Sequence, residues 1–345
     1  MIQTEHPAID TALLDLVQQE IPLAARPYAE IARRLDIPER LVLERLRALH
    51  RGPTAPIRQI GAIFESKALG YETTLVAARV AEADLDGAAA AISAHPGVSH
   101  NYRRDHEYNL WYTLAVPPDS RLGLAKTVEI LHRRSRAVST RILPTLKMYK
   151  IGVKLDLGGT KSSAVTGVHR RHGGAMPLTE QSRRIVRVLQ RDLPLISEPF
   201  APMAAELGIG VTELLATAEL FCQRGIMRRF SAVLRHRELG FDANAMGVWV
   251  VPPEKQDAFG NAAAAFPEVS HCYLRPSFAD WPYTIFTMIH ARERAQGEEV
   301  LNAISAATGV REYAVLYSTR EYKKVRVKYF EPVIAAWEAE FGCGT

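Results

Sequence analysis

The segment IRQIGAIFESKALGY, residues 57–71, returns in altered form as MRRFSAVLRHRELGF, residues 227–241. A second pair behaves in the same way: VSHNYRRDHEYNLWYT, residues 98–113, returns as VSHCYLRPSFADWPYTIFT, residues 269–287. The first pair is offset by 170 positions, and the first histidines of the second pair by 171. Two matches at a nearly constant interval indicate a tandem duplication.

Each half begins with short segments of helical periodicity and continues with segments that alternate between strand and helix periods. In the first half, LLDLVQQEI, YAEIARRLDI and PERLVLERLRALHRG are joined by tight turns, which is typical of a winged helix-turn-helix. The patterns that follow are ordered strand, helix, strand, strand, helix, strand. This order predicts a ferredoxin-like βαββαβ domain, an antiparallel sheet with helices on one face and the other face free. The predicted fold class is therefore α+β, with this pair of domains in each half.

Domain boundaries follow from the repeat and from one change of composition. Residues 157–177 are rich in Gly, Ser, Thr and charge, with little apolar periodicity, and are predicted to form a flexible linker. The helix-turn-helix-like domains are predicted at 1–64 and 178–234, and the ferredoxin-like domains at 65–156 and 235–345.

The composition of the chain limits its class and location. Its 345 residues are 47% hydrophobic, which is enough for more than one packed core. A formal charge of +5 permits an acidic partner such as nucleic acid or a polycarboxylate. The three cysteines, Cys222, Cys272 and Cys343, are far apart and suggest neither a disulfide framework nor a metal site. With no signal-peptide pattern and no long apolar run, we expect a cytoplasmic protein that does not enter a membrane.

The repeated motifs carry a more specific resemblance. IRQIGAIFESKALGY and HNYRRDHEYNLWYT, with their second-half partners that contain HCYLRP and DWPYTIF, resemble the siroheme decarboxylases, which themselves resemble Lrp/AsnC-type transcription regulators. In that family two homologous subunits usually pair, and this chain is similar to a fused form. The resemblance implies a carboxy-lyase that removes the acetate carboxyls of pyrrole rings C and D of siroheme, giving didecarboxysiroheme in haem or modified-haem biosynthesis.

The resemblance also carries expectations about cofactors and partners. It implies no redox cofactor, because the iron is carried by the siroheme substrate, and no metal site of the protein's own. A homodimer, or an assembly with homologous decarboxylase subunits, is compatible with it. Two other functions remain open from the sequence: a DNA-binding regulator of the Lrp/AsnC type, and a subunit that binds a tetrapyrrole without turnover.

The predicted recognition helices argue against DNA binding. GVTELLATAELFCQ, residues 210–223, contains no Lys or Arg but does contain Glu213 and Glu219, which would repel phosphates. The first-half helix has three arginines among two glutamates, which we interpret as i,i+4 salt bridges on a solvated face: Arg40, Arg45 and Arg47 with Glu39 and Glu44. No functional DNA binding is expected.

Two rows of side chains are predicted on the free sheet face. Strand alternation places Val98, His100, Tyr102 and Arg104 on one face of the first-half strand. In the second half it places His271, Tyr273 and Arg275 together, opposite the apolar Cys272 and Leu274. We expect the free faces of the two halves to meet and to enclose a cavity bounded by these rows. A structural, hydrogen-bonded role for each histidine remains the alternative.

Four histidines are candidates for the general acid, the general base or the ligand of the substrate iron. The sequence does not assign these roles to individual histidines. An imidazole has a pKa near 6.5, which suits it for the proton transfers that the implied reaction requires. His106 has no counterpart in the second half, and His236 is matched by Ser66, so the halves differ. The candidate catalytic residues are His106, His236, His100 and His271.

Binding of a polycarboxylate macrocycle needs fixed cations and flat or polar contacts. Arg offers carboxylates bidentate hydrogen bonds, and aromatic rings can flank a macrocycle. The candidate substrate-binding residues are Arg58, Tyr102, Arg104, Asn109, Trp111, Lys150, Arg228, Arg229, Tyr273, Arg275 and Lys323.

Overall fold

The computed structural model describes residues 7–52, 55–151, 178–235, 243–291 and 293–342. The predicted linker, 157–177, and the candidate His236 lie outside these ranges. The elements of the first half are α1 (Pro7–Gln19), α2 (Pro27–Leu35), α3 (Glu39–His50), β1 (Ile57–Phe64), β2 (Glu72–Arg79), α4 (Leu85–Ser93), β3 (Val98–Arg104), β4 (Leu110–Val116), α5 (Gly123–Arg134), β5 (Ser139–Leu143) and β6 (Lys147–Ile151).

The second half repeats this order. Its elements are α6 (Glu180–Leu189), α7 (Phe200–Leu207), α8 (Val211–Gln223), β7 (Met227–Leu234), β8 (Ala243–Trp249), α9 (Gln256–Ala265), β9 (Val269–Leu274), β10 (Ile285–Ala291), α10 (Arg294–Thr308), β11 (Tyr313–Lys324) and a further helix, α11 (Val333–Phe341). In both halves three helices precede a βαββαβ unit, so the predicted α+β duplication is confirmed.

The two helix-turn-helix regions share one core. β1 and β7 pair antiparallel, with Ile60 opposite Ala232 and Gly61 opposite Ser231. Apolar side chains of this two-stranded ribbon pack with those of α1, α2, α3, α6, α7 and α8 in a single cluster. Gly61 is required there, because a Cβ at this position would lie 2.6 Å from the carbonyl oxygen of Arg191. The ribbon therefore fixes the two halves to each other.

The βαββαβ units are not separate, because they exchange strands. They form a nine-stranded sheet in the order β5-β2-β4-β3-β11-β8-β10-β9-β6. β6 leaves the first half and pairs with β9, while β11 pairs with β8 at its start and with β3 at its end. The last strand of the βαββαβ unit predicted for the first half is thus divided into β5 and β6. Each half completes the sheet of the other.

The sheet curves back on itself. β5 ends at Leu143 and β6 begins at Lys147, although they are the two outer strands of the sheet. Four residue steps span at most about 14 Å. The outer strands must therefore lie near each other, and the faces without helices turn inward around a shared cluster that includes Trp111, Trp281 and Phe286. The predicted meeting of the two free faces is confirmed.

Candidate functional site

The two histidine rows lie on this inner face. The ring centroids of His100 and Tyr102 are 6.1 Å apart, and those of His271 and Tyr273 are 5.8 Å apart. The residue between each pair points to the helices: Asn101 donates to the Ala89 carbonyl of α4, and Cys272 contacts α9. The predicted faces of these four residues are therefore confirmed.

Val98 is an exception to the predicted row. It packs in the helix-covered core of the first half, not on the inner face with His100. The pairing of β3 with β4 shifts register between Val98 and His100. In a β-bulge two successive residues of one strand lie opposite a single residue of the partner strand. The alternation of side chains between the two faces is therefore broken at that point. The prediction for Val98 was wrong for this reason.

His100 is surrounded by hydroxyl groups and cations. Its Nδ1 lies 3.0 Å from Ser99 Oγ and 3.4 Å from Thr113 Oγ1. Lys324 lies opposite His100 on β11. Burial, together with the cations of Lys324 and Arg58, lowers the pKa of His100 to about 4. We call this region, His100 with Tyr102, Arg58 and Lys324, the His100 half-site; its imidazole is neutral at pH 7.

The equivalent region of the second half is built differently. His271 Nδ1 lies 3.0 Å from the hydroxyl of its neighbour Tyr273. Met288 of β10 and Ile151 of β6 lie opposite His271, where Thr113 and Lys324 lie opposite His100. We call His271 and Tyr273, with these neighbours, the His271 half-site.

One of two arginines near the His271 half-site, Arg228, is already neutralised, whereas Arg275 lies over the Tyr273 ring at 5.1 Å. Burial raises the pKa of Tyr273, whereas Arg228 lowers it and Glu65 raises it, so both charges are close to this ring. Arg228 Nε donates to Glu65 Oε2 at 2.7 Å. This ion pair reduces the positive charge that Arg228 presents to the half-site.

A row of cations follows the ribbon toward the His100 half-site. Arg58 donates to the backbone carbonyl of Lys324 at 2.7 Å, and Arg326 donates to the carbonyl of Ala62 at 2.8 Å. Burial, Arg58 and Arg229 all lower the pKa of Arg326. Arg229 itself is exposed. Within the described ranges no carboxylate forms an ion pair with Arg58, Arg229 or Arg326, so their charges add.

Arg326 was missed by the sequence reasoning. The basic run YKKVRVKY, residues 322–329, was visible, but only the structure brings its Arg326 to the ribbon. The equivalent segment of the first half is YKIGVKLD, residues 149–156, which has Val153 at the position of Arg326. This difference between the halves was the available signal that Arg326 is special.

Four of the predicted cations are engaged with backbone carbonyls where strands are exchanged. Arg104 donates to the carbonyl of Leu316, and Arg275 to that of Leu143, the equivalent leucine. Burial lowers the pKa of both guanidinium groups to about 10. The two lysines donate similarly at 2.6 Å: Lys150 to Phe266, and Lys323 to Ser93. Substrate binding by these four residues stays a prediction.

The structure does not bring His106 to His100. His106 lies two residues beyond Arg104, the last residue of β3, which is itself about 13 Å along the strand from His100. Its Nδ1 accepts from the Tyr108 backbone N–H at 3.0 Å, and its ring meets the Trp281 ring edge-on at 5.3 Å. Burial lowers the pKa of His106. A catalytic role for His106 stays a prediction, in a location separate from both half-sites.

The remaining first-half candidates pack within the protein. Trp111 is buried, donates to the Tyr108 carbonyl at 2.6 Å and packs on Trp281 at 5.2 Å. The side chain of Asn109 bonds the backbone of Val80 twice, at 3.0 and 2.8 Å. A substrate contact for Trp111 or Asn109 stays a prediction.

The arginines of α3 make contacts other than those expected. Arg45 is buried and makes two 2.8 Å hydrogen bonds to Asp10 of α1. Arg47 donates to the carbonyl of Leu195 at 2.6 Å, across the two halves. The interpretation of i,i+4 salt bridges was wrong for Arg45 and Arg47, because both hold helices or loops together. The absence of functional DNA binding stays a prediction.

Other features of the described residues lie away from the half-sites. Two surface cavities, of about 380 and 320 Å³, are lined by other residues, among them His132 and Arg183. The predicted cavity between the histidine rows stays a prediction. Within the described ranges no helix has the length and apolar character needed to cross a bilayer. In the same ranges no three His, Cys, Asp or Glu side chains group as metal ligands.

Two family models match the chain, each in both halves. A siroheme decarboxylase NirDL-like HTH domain matches residues 10–52 and 182–228, and an AsnC-like ligand binding domain matches 68–150 and 238–323. The siroheme decarboxylase of Hydrogenobacter thermophilus is 38% identical over 330 residues, covering 95% of this chain and 97% of that relative.

Two further comparisons bear on the duplication and the fold. The siroheme decarboxylase beta subunit of Methanosarcina barkeri is 43% identical over 145 residues, which is 42% of this chain and 95% of the relative. A crystal structure of the siroheme decarboxylase NirDL in co-complex with an iron-uroporphyrin III analogue superposes with a TM-score of 0.77 at 33% identity, covering 96% of this chain and 97% of that one.

Proposed function

Since the chain belongs to the siroheme decarboxylase family, we propose that it removes the acetate carboxyls of pyrrole rings C and D of siroheme, giving didecarboxysiroheme. The structural observation that supports this most directly is the His100 half-site. It combines a neutral imidazole and an adjacent phenol on the inner face of the sheet with the cations of Lys324, on the same sheet, and Arg58, on the ribbon.

Each decarboxylation has a simple balance of atoms. The ring-bound CH₂–COO⁻ group loses CO₂, and the electron pair left on carbon takes a proton to become a methyl group. Protonation of the ring supplies the temporary electron sink, and a side chain must return or deliver the final proton. No oxidant or reductant enters this balance.

The environment of His100 narrows its role. With a pKa of about 4, the imidazole is neutral at pH 7 and suits the roles of iron ligand or base better than that of proton donor. Ser99 and Thr113 engage Nδ1, so we assign Nε2 to the substrate. Tyr102 stacks beside the imidazole and offers a phenol next to the same substrate.

The neighbouring cations have a separate task. Arginines hold carboxylates through charge-assisted hydrogen bonds, so they suit the carboxylates that remain on the macrocycle. The carboxylate that leaves should be placed away from them, because a cation that stabilises its negative charge slows the loss of CO₂.

The proposal extends to cofactor, assembly and location. We propose that no further cofactor is needed because the iron arrives with the substrate, and that the fused chain works as a homodimer or with homologous subunits. A cytoplasmic location accords with the three widely separated cysteines in the sequence.

The deciding experiment is anaerobic incubation of the purified chain with siroheme, followed by mass analysis of the pigment. The expected product has lost two carboxyl groups as CO₂. Unchanged pigment that stays bound would instead identify a non-catalytic tetrapyrrole-binding subunit. Unbound, unchanged pigment together with salt-sensitive, sequence-dependent DNA binding would identify a regulator.

A further inference from the structure

The duplication offers an internal control for every residue near the histidines. Positions related by the repeat began as the same residue in the same surroundings. Where both copies keep the same contact, the fold is sufficient to explain it. Where one copy has lost a charge that the other keeps, a ligand that binds only one copy is a direct explanation.

Positive charge is concentrated at the His100 half-site. Lys324 lies opposite His100, whereas its equivalent, Ile151, lies opposite His271. Arg326 adds a cation beside Arg58, and the equivalent position in sequence is Val153, which lies outside the described residues.

One equivalent pair of ribbon arginines differs in the same direction, whereas Arg229, opposite Ile63 near the Glu65 end, has the neutral equivalent Gln59. Arg58 and Arg228 are equivalent by the 170-residue offset. Arg228 is paired with Glu65, whose own equivalent is Arg235. Arg235 bonds the carbonyl of Ala55 near Arg58, so the position that is an anion at one end of the ribbon is a further cation at the other.

Buried or half-buried like charges repel each other unless an anion lies among them. Arg326 is half-buried between Arg58 and Arg229, and both lower its pKa. A polycarboxylate would relieve this repulsion at the His100 end. At the His271 end Glu65 already supplies the anion.

We propose that each chain binds one tetrapyrrole, with carboxylates held by Arg58, Lys324 and Arg326 in the His100 half-site, and that the His271 half-site is not a second binding site. The proposal rests on the proposed function for the class of ligand. It adds the number of ligands per chain and assigns Lys324 and Arg326 to the site.

The first test is stoichiometry. Iron-uroporphyrin III, a polycarboxylate macrocycle, is titrated into the full-length chain under anaerobic conditions and followed by its absorbance. Saturation at one equivalent per chain is the expected result. Saturation at two equivalents, or no saturable binding, would overturn the proposal.

The second test uses matched variants. Arg58→Gln and Arg326→Gln should each weaken binding of iron-uroporphyrin III by about tenfold or more, the scale of one lost hydrogen bond between charged groups. Arg228→Gln, the equivalent of the first variant, should change binding by less than about threefold. Equal losses in Arg58→Gln and Arg228→Gln would contradict the proposal.

Controls separate this proposal from the proposed function and from misfolding. Thermal unfolding of each variant shows whether the protein remains folded, and binding is expressed per folded molecule. Turnover of siroheme is measured on the same wild-type preparation. If one probe binds per chain but siroheme is not turned over, the proposed function is contradicted and the single binding site stands. If siroheme is turned over and two probes bind per chain, only the single-site proposal is contradicted.

Discussion

The strand exchanges and the histidine half-sites come from the same duplication, yet they have diverged to different degrees. At the exchanges the two copies match: Arg104 and Arg275 both reach a leucine carbonyl, and Lys150 and Lys323 both reach a carbonyl near the end of a helix. Around the histidines the copies differ.

The difference separates residues needed for folding from residues needed for a ligand. Each half gives a strand to the sheet of the other half, so a contact that holds an exchanged strand in place is required twice. A single bound ligand requires its cations at one half-site only. The equivalent positions at the His271 half-site are then free to change, as at Ile151 and Glu65. A contact that both halves keep therefore indicates a structural role. His100 and His271 do not fall under this rule, because the residues match but their contacts differ.

The largest expected effect distinguishes the two histidines. His100→Ala should lower the rate of siroheme decarboxylation per folded molecule by about a hundredfold or more, the usual scale for a lost proton-transfer group. His271→Ala should lower it by less than about tenfold. Initial anaerobic rates measure both, with thermal unfolding as the control. Comparable losses would mean that the half-sites have not diverged in function.

The next effect tests the matched contacts at the strand exchanges. Arg104→Met and Arg275→Met each leave a buried leucine carbonyl without its donor, so each should lower the free energy of unfolding by about 1–3 kcal/mol. Urea unfolding measures this loss. A large loss in one variant and none in the other would show that the exchanges are not equivalent.

A smaller effect concerns a buried histidine that only the first half possesses. Burial and Lys323 lower the pKa of His95 to about 3, and the equivalent position is Phe266. Between about pH 6.5 and pH 3 the unfolded chain binds more protons at this residue than the folded chain, so the stability it contributes is present above pH 6.5 and falls as the pH is lowered.

His95→Phe copies the second half and should remove this dependence. The slope of unfolding free energy against pH should decrease by up to roughly 1.4 kcal/mol per pH unit in that window. Denaturant unfolding at several pH values measures the slope. An unchanged slope would show that other groups, such as His100, account for the acid sensitivity.

The smallest effect is expected at an unmatched ion pair on the surface. Asp280 accepts hydrogen bonds from Tyr108 at 2.7 Å and from Arg141 at 2.9 Å, joining the halves beyond the end of the sheet. Because exposed ion pairs contribute little, Asp280→Asn should change the melting temperature only near the limit of detection. A large decrease would mean that asymmetric contacts can also be essential for the fold.

Sequence periodicity was sufficient for what is local. It predicted the helices, the βαββαβ order and the inner face of Tyr102 and Tyr273, because side-chain direction in a strand depends only on residue parity. It failed at Val98, where a bulge adds one residue to the count. The helix α11 (Val333–Phe341) was not predicted.

Partners distant in sequence were beyond prediction. Nothing in the pattern of β6 or β11 specifies that it pairs with the opposite half, since pairing depends on the position of both sheets. The same reason explains why Arg326 was missed and why Arg45 was expected to pair within its own helix and not with Asp10. The tetrapyrrole assignment came from motifs, because periodicity contains no information about a ligand.

The exchanged strands also have a consequence for dilution. A half produced alone would leave the edge of β3 or of β9 uncovered until a second molecule arrived, and an open edge invites pairing with the wrong chain. Joining the halves covalently converts that encounter into an intramolecular one, with an effective concentration on the order of millimolar. The assembled sheet of a fused chain should therefore persist at concentrations at which two separate subunits would come apart.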